Sequence, residues 1–201
     1  TGIKTLVASM PISQRPEHHD LSLKHSSWLT MKYPNAYSVE LDLTYPFLSF
    51  EDIMKDKKFI SDTGLANSKA RLRMMTLYQI SASTSGIVVG TGNKVEDFGG
   101  VDISPIADCN KTEVWAMGKE LGILEEIQMA EPNDGLWSDG RTDTDQLGMS
   151  YKQIEFLMDR PSEPGYEKYL EIRKKNLHKM KPIPVCKFDG KITLDTDPKK
   201  T

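Results

Sequence analysis

Cysteine is nearly absent from this chain. There are two among 201 residues, Cys109 and Cys186. That pair makes neither a disulfide framework nor a metal-ligand spacing, so reduced thiols in a cytoplasmic setting are expected. Long apolar runs are missing too: none approaches the roughly twenty residues needed to cross a bilayer. The opening TGIKTLVASMP lacks the length and flanks of a secretory signal. No sign of charge dominates, since 26 Lys and Arg stand against 29 Asp and Glu, a net charge of −3. Nothing broad and basic therefore favours nucleic acid or an anionic membrane. There is no internal repeat and no low-complexity tract.

What is present suits one globular domain with a real core: 38% hydrophobic and 27% charged residues. IKTLVASMP reads as a short buried strand. Glu17–Tyr33 reads as a helix stopped at Pro34, and Ala36–Thr44 alternates as a second strand. Phe47–Phe59 predicts a short helix, and Leu65–Ser83 carries apolar residues at helical period. GIVVGT, Gly86–Thr91, is apolar on both faces, as a central parallel strand should be. Asn110 caps a helix that Gly122 stops. Glu131–Asp145 is a polar loop. One or two short helices follow, broken at Gly148, and then a helix over Pro164–Lys179. The tail after Phe188 is charged, punctuated by Gly and Pro, and expected to be loose. Strands alternating with helices predict an α/β fold: an open parallel sheet flanked by helices.

The chemistry concentrates in VVGTGNKVEDFGGVDISPI, Val88–Ile106. In open α/β sheets ligands bind at the carboxyl ends of strands, and Thr91 and Glu96 lie just past such an end. Thr91 offers a hydroxyl between two glycines that let backbone approach a phosphate or ribose. Glu96 is a hard oxygen ligand suited to Mg²⁺ bridging phosphates. Lys111, in the first turn of a helix, adds a cation beside free backbone N–H groups. His18, His19 and His25 match no site, and His18-His19 reads as a solvated helix start.

Several segments together resemble the NAD synthetase family, of the ammonia-dependent type. They are NSKARLRMMTLYQISASTSGIVVGTGNKVE, GGVDISPIADCNKTEVWAMGKELGI, EPNDGLW, DQLGMSY and NLHKMKPIPV. The match runs in order from Asn67 to Cys186. The resemblance implies an adenine nucleotide alpha hydrolase-like fold of the ATP pyrophosphatase type, and a homodimer. It implies ATP-dependent amidation of deamido-NAD to NAD through an adenylated carboxylate, with ammonia displacing AMP. Thr91, Lys111 and Asn133 match ATP contacts, and Glu96 matches the magnesium ligand. Arg71, Asp102, His178 and Lys179 match contacts to deamido-NAD. No role for nucleic acid or membrane is implied.

The chain also departs from that family. Its phosphate loop, Ser-Gly-Gly-x-Asp-Ser, is absent, and a substrate-lid stretch is missing between Glu96 and Asp102. Asn133 stands where the family has threonine. Residues 1–201 are therefore expected to form a single synthetase domain lacking its N-terminal phosphate loop and an internal lid near Gly99 and Gly100. Two other readings remain open on sequence alone: a non-catalytic nucleotide-binding dimer, and another amide-forming ATP pyrophosphatase. The Leu65–Ser83 helix, with Met74, Met75, Leu77 and Tyr78, is expected to form part of an apolar dimer interface.

Overall fold

The computed structural model describes residues 2–95, 101–137, 139–180, 185–188 and 192–195, with side chains through residue 174. Strands β1 (Thr5–Ser9) and β2 (Ala36–Glu40) pair in parallel, Thr5 opposite Ala36 and Ser9 opposite Glu40. Parallel neighbours need a crossover, and α1 (Pro16–Lys32) supplies it, packing on both strands. Pro16 opens α1, where its missing N–H would have no helical partner anyway. The second strand is shorter than its alternating pattern predicts, ending at Glu40.

Helix α2 (Thr44–Asp56) packs on the long α3 (Asp62–Thr84). Ser61 caps α3, its hydroxyl accepting from the Gly64 N–H at 3.1 Å. The strand expected over Gly86–Thr91 is reduced to one parallel bridge, Val89 to Ile103. Val88 is buried there, but Ile87 is 62% and Val89 50% exposed. Apolar residues on both faces suit a strand covered on both sides. Among the described residues only the Asp102–Ile103 segment pairs with this one, so one side stays open.

Helix α4 (Lys111–Glu120) carries the expected Asn110 cap, and Gly122 ends it at φ +68°. A short α5 (Glu125–Met129) follows, which the sequence reading did not separate. The predicted break at Gly148, φ +68°, divides α6 (Asp143–Leu147) from α7 (Tyr151–Met158). Helix α8 spans Tyr166–Met180. Met149, Ile154, Leu157 and Tyr169 form a buried cluster where α7 meets α8.

The tail is less loose than expected. Strands β3 (Val185–Phe188) and β4 (Ile192–Asp195) pair antiparallel, Val185 opposite Asp195. Asp189-Gly190 between them is a strong hairpin signal in the sequence. The seam expected at Gly99 or Gly100 lies outside the described residues. Among those described, no helix is long and apolar enough to cross a membrane.

The α7–α8 cluster should carry much of this region's stability. Leu157, 4% exposed, should cost about 2–5 kcal/mol when truncated to alanine. Met31→Ala, at a residue 86% exposed, should shift stability by no more than about 0.5 kcal/mol. Urea unfolding of the two variants checks the contrast; equal small shifts would refute the assignment of the core.

Candidate functional site

A cavity of about 360 Å³ opens at the carboxyl end of β1. The loop after β1 brings Met10 and Gln14 to it, α1 brings His18, His19 and Ser22, α3 brings Arg73, and the loop before α6 brings Asn133, Asp134 and Gly135. Arg73 ties these pieces together. Its Nε donates to the Met10 carbonyl at 2.9 Å, and its Nη2 donates to Gln14 Oε1 at 2.9 Å. Gln14 in turn donates through Nε2 to the Gly135 carbonyl at 2.7 Å. Gly135 sits at φ +61°, and a Cβ there would lie 2.4 Å from Gln14 Nε2. That left-handed turn favours glycine, and any larger residue would also have to displace the Gln14 amide from its bond.

The polar loop is held elsewhere as well. Lys69, one helical turn before Arg73, donates to the Leu136 carbonyl at 3.0 Å. Arg15 donates to the Asp139 carbonyl at 2.9 Å. Burial lowers the Lys69 pKa, and the neighbouring Arg73 charge adds to the effect. Burial also lowers the Arg73 pKa, and Asp134 opposes that shift. At the loop's far end Asp139 is held down to about 2, chiefly by the Arg141 guanidinium that donates to both its oxygens.

Of the residues singled out in the sequence, Asn133 lines this cavity; its Nδ2 donates to the Glu131 carbonyl at 3.2 Å. Asp102 sits at a second place, the open strand, where its backbone N–H donates to the Val88 carbonyl at 2.9 Å; Thr91 is exposed just past the end of the same segment. Asp102 Oδ2 accepts from the Val88 N–H at 2.7 Å, and Oδ1 accepts from the Tyr78 hydroxyl at 3.2 Å. Desolvation raises the Tyr78 pKa, with the Asp102 hydrogen bond acting in the same direction. Asn93, 1% exposed, turns the chain just beyond Thr91 by accepting from the Val95 N–H at 3.0 Å. Arg71 is exposed and donates to the Asn67 carbonyl of its own helix. Lys111 starts α4, its Nζ 5.1 Å from the centre of the Tyr151 ring. Glu96 lies outside the described residues; His178 and Lys179 fall on α8, their side chains likewise outside.

Two expectations are corrected. The first-turn N–H groups of α4 are not free. Asn110 and Glu113 cap one another, and the Thr112 N–H donates to Glu155 Oε1 at 3.0 Å. A carboxylate from α7 thus holds the Thr112 N–H at this helix start. His18 and His19 are not a solvated helix start either. Both line the cavity, and His19 Nε2 lies 3.0 Å from Glu40 Oε1 at the end of β2. The parallel pairing of β1 with β2 turns that face of α1 inward, which helical period alone does not reveal.

Gln14, Arg73 and Asp134 escaped the sequence reading. The available signal was Lys69 and Arg73, two cations one turn apart on the helix that also carries Arg71. Among the described residues no group of three or more His, Cys, Asp or Glu could hold a metal ion. Mg²⁺ commonly needs only one or two carboxylates beside the substrate's phosphates, so a single glutamate is a sufficient protein donor.

The family described as NAD synthase matches residues 4–187. The NH(3)-dependent NAD(+) synthetase of Carboxydothermus hydrogenoformans is 34% identical over 166 residues, covering 77% of this chain and 66% of that protein. That of Methanococcoides burtonii is 46% identical over 101 residues, covering 46% of this chain and 38% of its own. The chain spans about half to two thirds of the length of the first curated relatives it matches. Among solved structures, the NMN synthetase of Francisella tularensis superposes with a TM-score of 0.80 at 26% identity, covering 94% of this chain and 81% of that one. The NH3-dependent NAD synthetase of Campylobacter jejuni gives 0.62 at 22% identity, covering 90% and 77%, a likeness of fold.

The Asp139–Arg141 pair has a defined pH signature. A carboxyl depressed in the folded state stabilises above its unfolded pKa, and that contribution is lost as pH falls through the folded value. The window here runs from about 3.9, the ordinary aspartate value, down to about 2. An NMR titration of the Asp139 carboxyl should give a midpoint near 2 in the native protein, moving up toward about 3.9 in Arg141→Ala. An unmoved midpoint in the variant would remove Arg141 as the cause.

Proposed function

Because the chain belongs to the NAD synthase family, with residues 4–187 matched, we propose that it forms the nucleotide- and acid-binding body of an ammonia-dependent ligase converting deamido-NAD to NAD. The matched span is the observation that carries this reading. In this proposal ATP adenylates the nicotinate carboxylate, releasing pyrophosphate. Ammonia then attacks the acyl carbon and displaces AMP. Lys111 offsets charge on the departing pyrophosphate, while Thr91 and Asn133 bond ATP oxygens. Arg71, Asp102, His178 and Lys179 orient the dinucleotide. Glu96 would hold Mg²⁺ together with the phosphates, and the ion would supply charge neutralisation there. Excluding water protects the activated acyl group from hydrolysis.

The phosphate loop implied by the resemblance is not among the 201 residues. The proposal assigns it to the additional length that the relatives have. The exposed Ile87 and Val89 support a strand that is incomplete by itself. The enzyme is cytoplasmic in this reading and acts as a homodimer, for which the outward Met75 of α3 offers apolar surface. A second reading follows from the superposition on an NMN synthetase. There the acid substrate is the mononucleotide, and the same amidation chemistry applies.

The full-length protein with ATP, Mg²⁺ and ammonium should convert deamido-NAD to its amide, with AMP and pyrophosphate formed in equal amounts. A higher kcat/KM for nicotinate mononucleotide would establish the second reading. No AMP with either acid would overturn both readings and leave the non-catalytic nucleotide-binding dimer or an amide-forming enzyme for another carboxylate.

Glu96→Gln replaces a hard anionic ligand with a neutral amide and should lower turnover roughly tenfold or more at ordinary Mg²⁺, with partial recovery at high Mg²⁺. A rate and magnesium dependence equal to the native enzyme's would reject Glu96 as the ligand.

A further inference from the structure

Helix α7 packs against the start of α4, where Lys111 stands. Helix α7 faces the start of α4 with two residues one turn apart, Tyr151 and Glu155, which share a helix face. Glu155 accepts twice from Thr112, the neighbour of Lys111. Its Oε1 takes the backbone N–H at 3.0 Å and its Oε2 takes the hydroxyl at 2.6 Å. Tyr151 lies under the Lys111 ammonium, with Nζ 5.1 Å from the ring centre. The ring cannot drift. It is 5% exposed, its hydroxyl donates to Asp143 Oδ2 at 2.5 Å, and Trp115 packs edge-on at 6.3 Å between centroids.

These contacts divide the work at the α4 terminus. Glu155 satisfies the N–H and the hydroxyl of the residue after Lys111, so the helix end already has its anion. The lysine then meets an incoming polyphosphate as a point charge from a fixed origin. We propose that Glu155 is a positioning residue for Lys111, fixing the first turn of α4 so that the ammonium is presented to the ATP phosphates. This rests on the reading of Lys111 as an ATP contact. Glu155 touches no substrate; it acts through Thr112.

A double-mutant cycle in the full-length enzyme tests this, with KM for ATP, KM for the acid substrate and kcat measured throughout. Glu155→Gln keeps one acceptor and the side-chain volume but loses the charge and one acceptor oxygen. It should raise the KM for ATP roughly three- to tenfold and leave the KM for the acid within about twofold. In a Lys111→Ala background the same change should have no further effect on the KM for ATP, and Glu155→Asp should recover part of the native value. If Glu155→Gln fails to fold, Thr112→Val, which removes the hydroxyl alone, takes its place in the cycle. An undiminished effect in the Lys111→Ala background, or an equal rise in both KM values, makes Glu155 merely structural and overturns the proposal. A Lys111→Ala variant with native KM for ATP overturns it differently, by removing the ATP role of Lys111 itself.

Discussion

A guanidinium drawn partly out of water at the end of the first strand organises one side of this molecule. A charge in that position is costly unless hydrogen bonds replace its hydration. Arg73 finds them in the Met10 carbonyl and the Gln14 amide, and Gln14 passes the constraint on to Gly135. Three segments far apart in sequence, the β1 exit, α3 and the loop before α6, are thereby held around one cavity. Gly135 is part of the same constraint: its left-handed φ of +61° favours glycine, and a Cβ there would push the Gln14 amide off its bond.

Helix α3 connects this cavity to the second locus. Lys69 and Arg73 reach the polar loop and the β1 exit, and Tyr78 further along reaches Asp102 at the open strand end. A helix asked to make polar contacts along its length cannot present one continuous apolar stripe. Only Ala66 on it is buried. The apolar cluster that stiffens the chain lies instead between α7 and α8. Helix α7 turns one face to that cluster and, through Tyr151 and Glu155, reaches the start of α4. Polar reach and apolar support are thus supplied by different helices.

Local signals made much of the fold legible. Pro34, Asn110, Gly122 and Gly148 mark helix ends through backbone rules that need no tertiary context, and the structure has the ends there or within a residue. The antiparallel tail departs from the loose segment expected there: Asp189-Gly190 is a hairpin signal, but the charged residues around it carry no clear apolar alternation. The strand over Gly86–Thr91 was overread. Its composition reports what it would need on both faces, and among the described residues one side stays open. The family's motifs, read from residues, led to Asn133, Thr91, Asp102 and Lys111. They did not lead to Gln14, His18 or His19, whose place at the cavity depends on how α1 sits against β1 and β2. That is a long-range consequence, invisible to periodicity. Nor could they show that Glu155, 43 residues from Thr112, holds its N–H at the start of that helix.

The proposed function turns on one chemical step: adenylation of the carboxylate by the full-length protein before the amide forms. Oxygen tracing tests it most directly. With both carboxylate oxygens of the nicotinate group labelled with ¹⁸O, attack on the α-phosphorus of ATP carries one labelled oxygen to that phosphorus. Displacement by ammonia then leaves that oxygen in AMP and the other in the amide. Mass spectrometry of the products of a single turnover should show one ¹⁸O in AMP and one in the amide, with none in pyrophosphate. Unlabelled AMP, or label in pyrophosphate, would contradict the account.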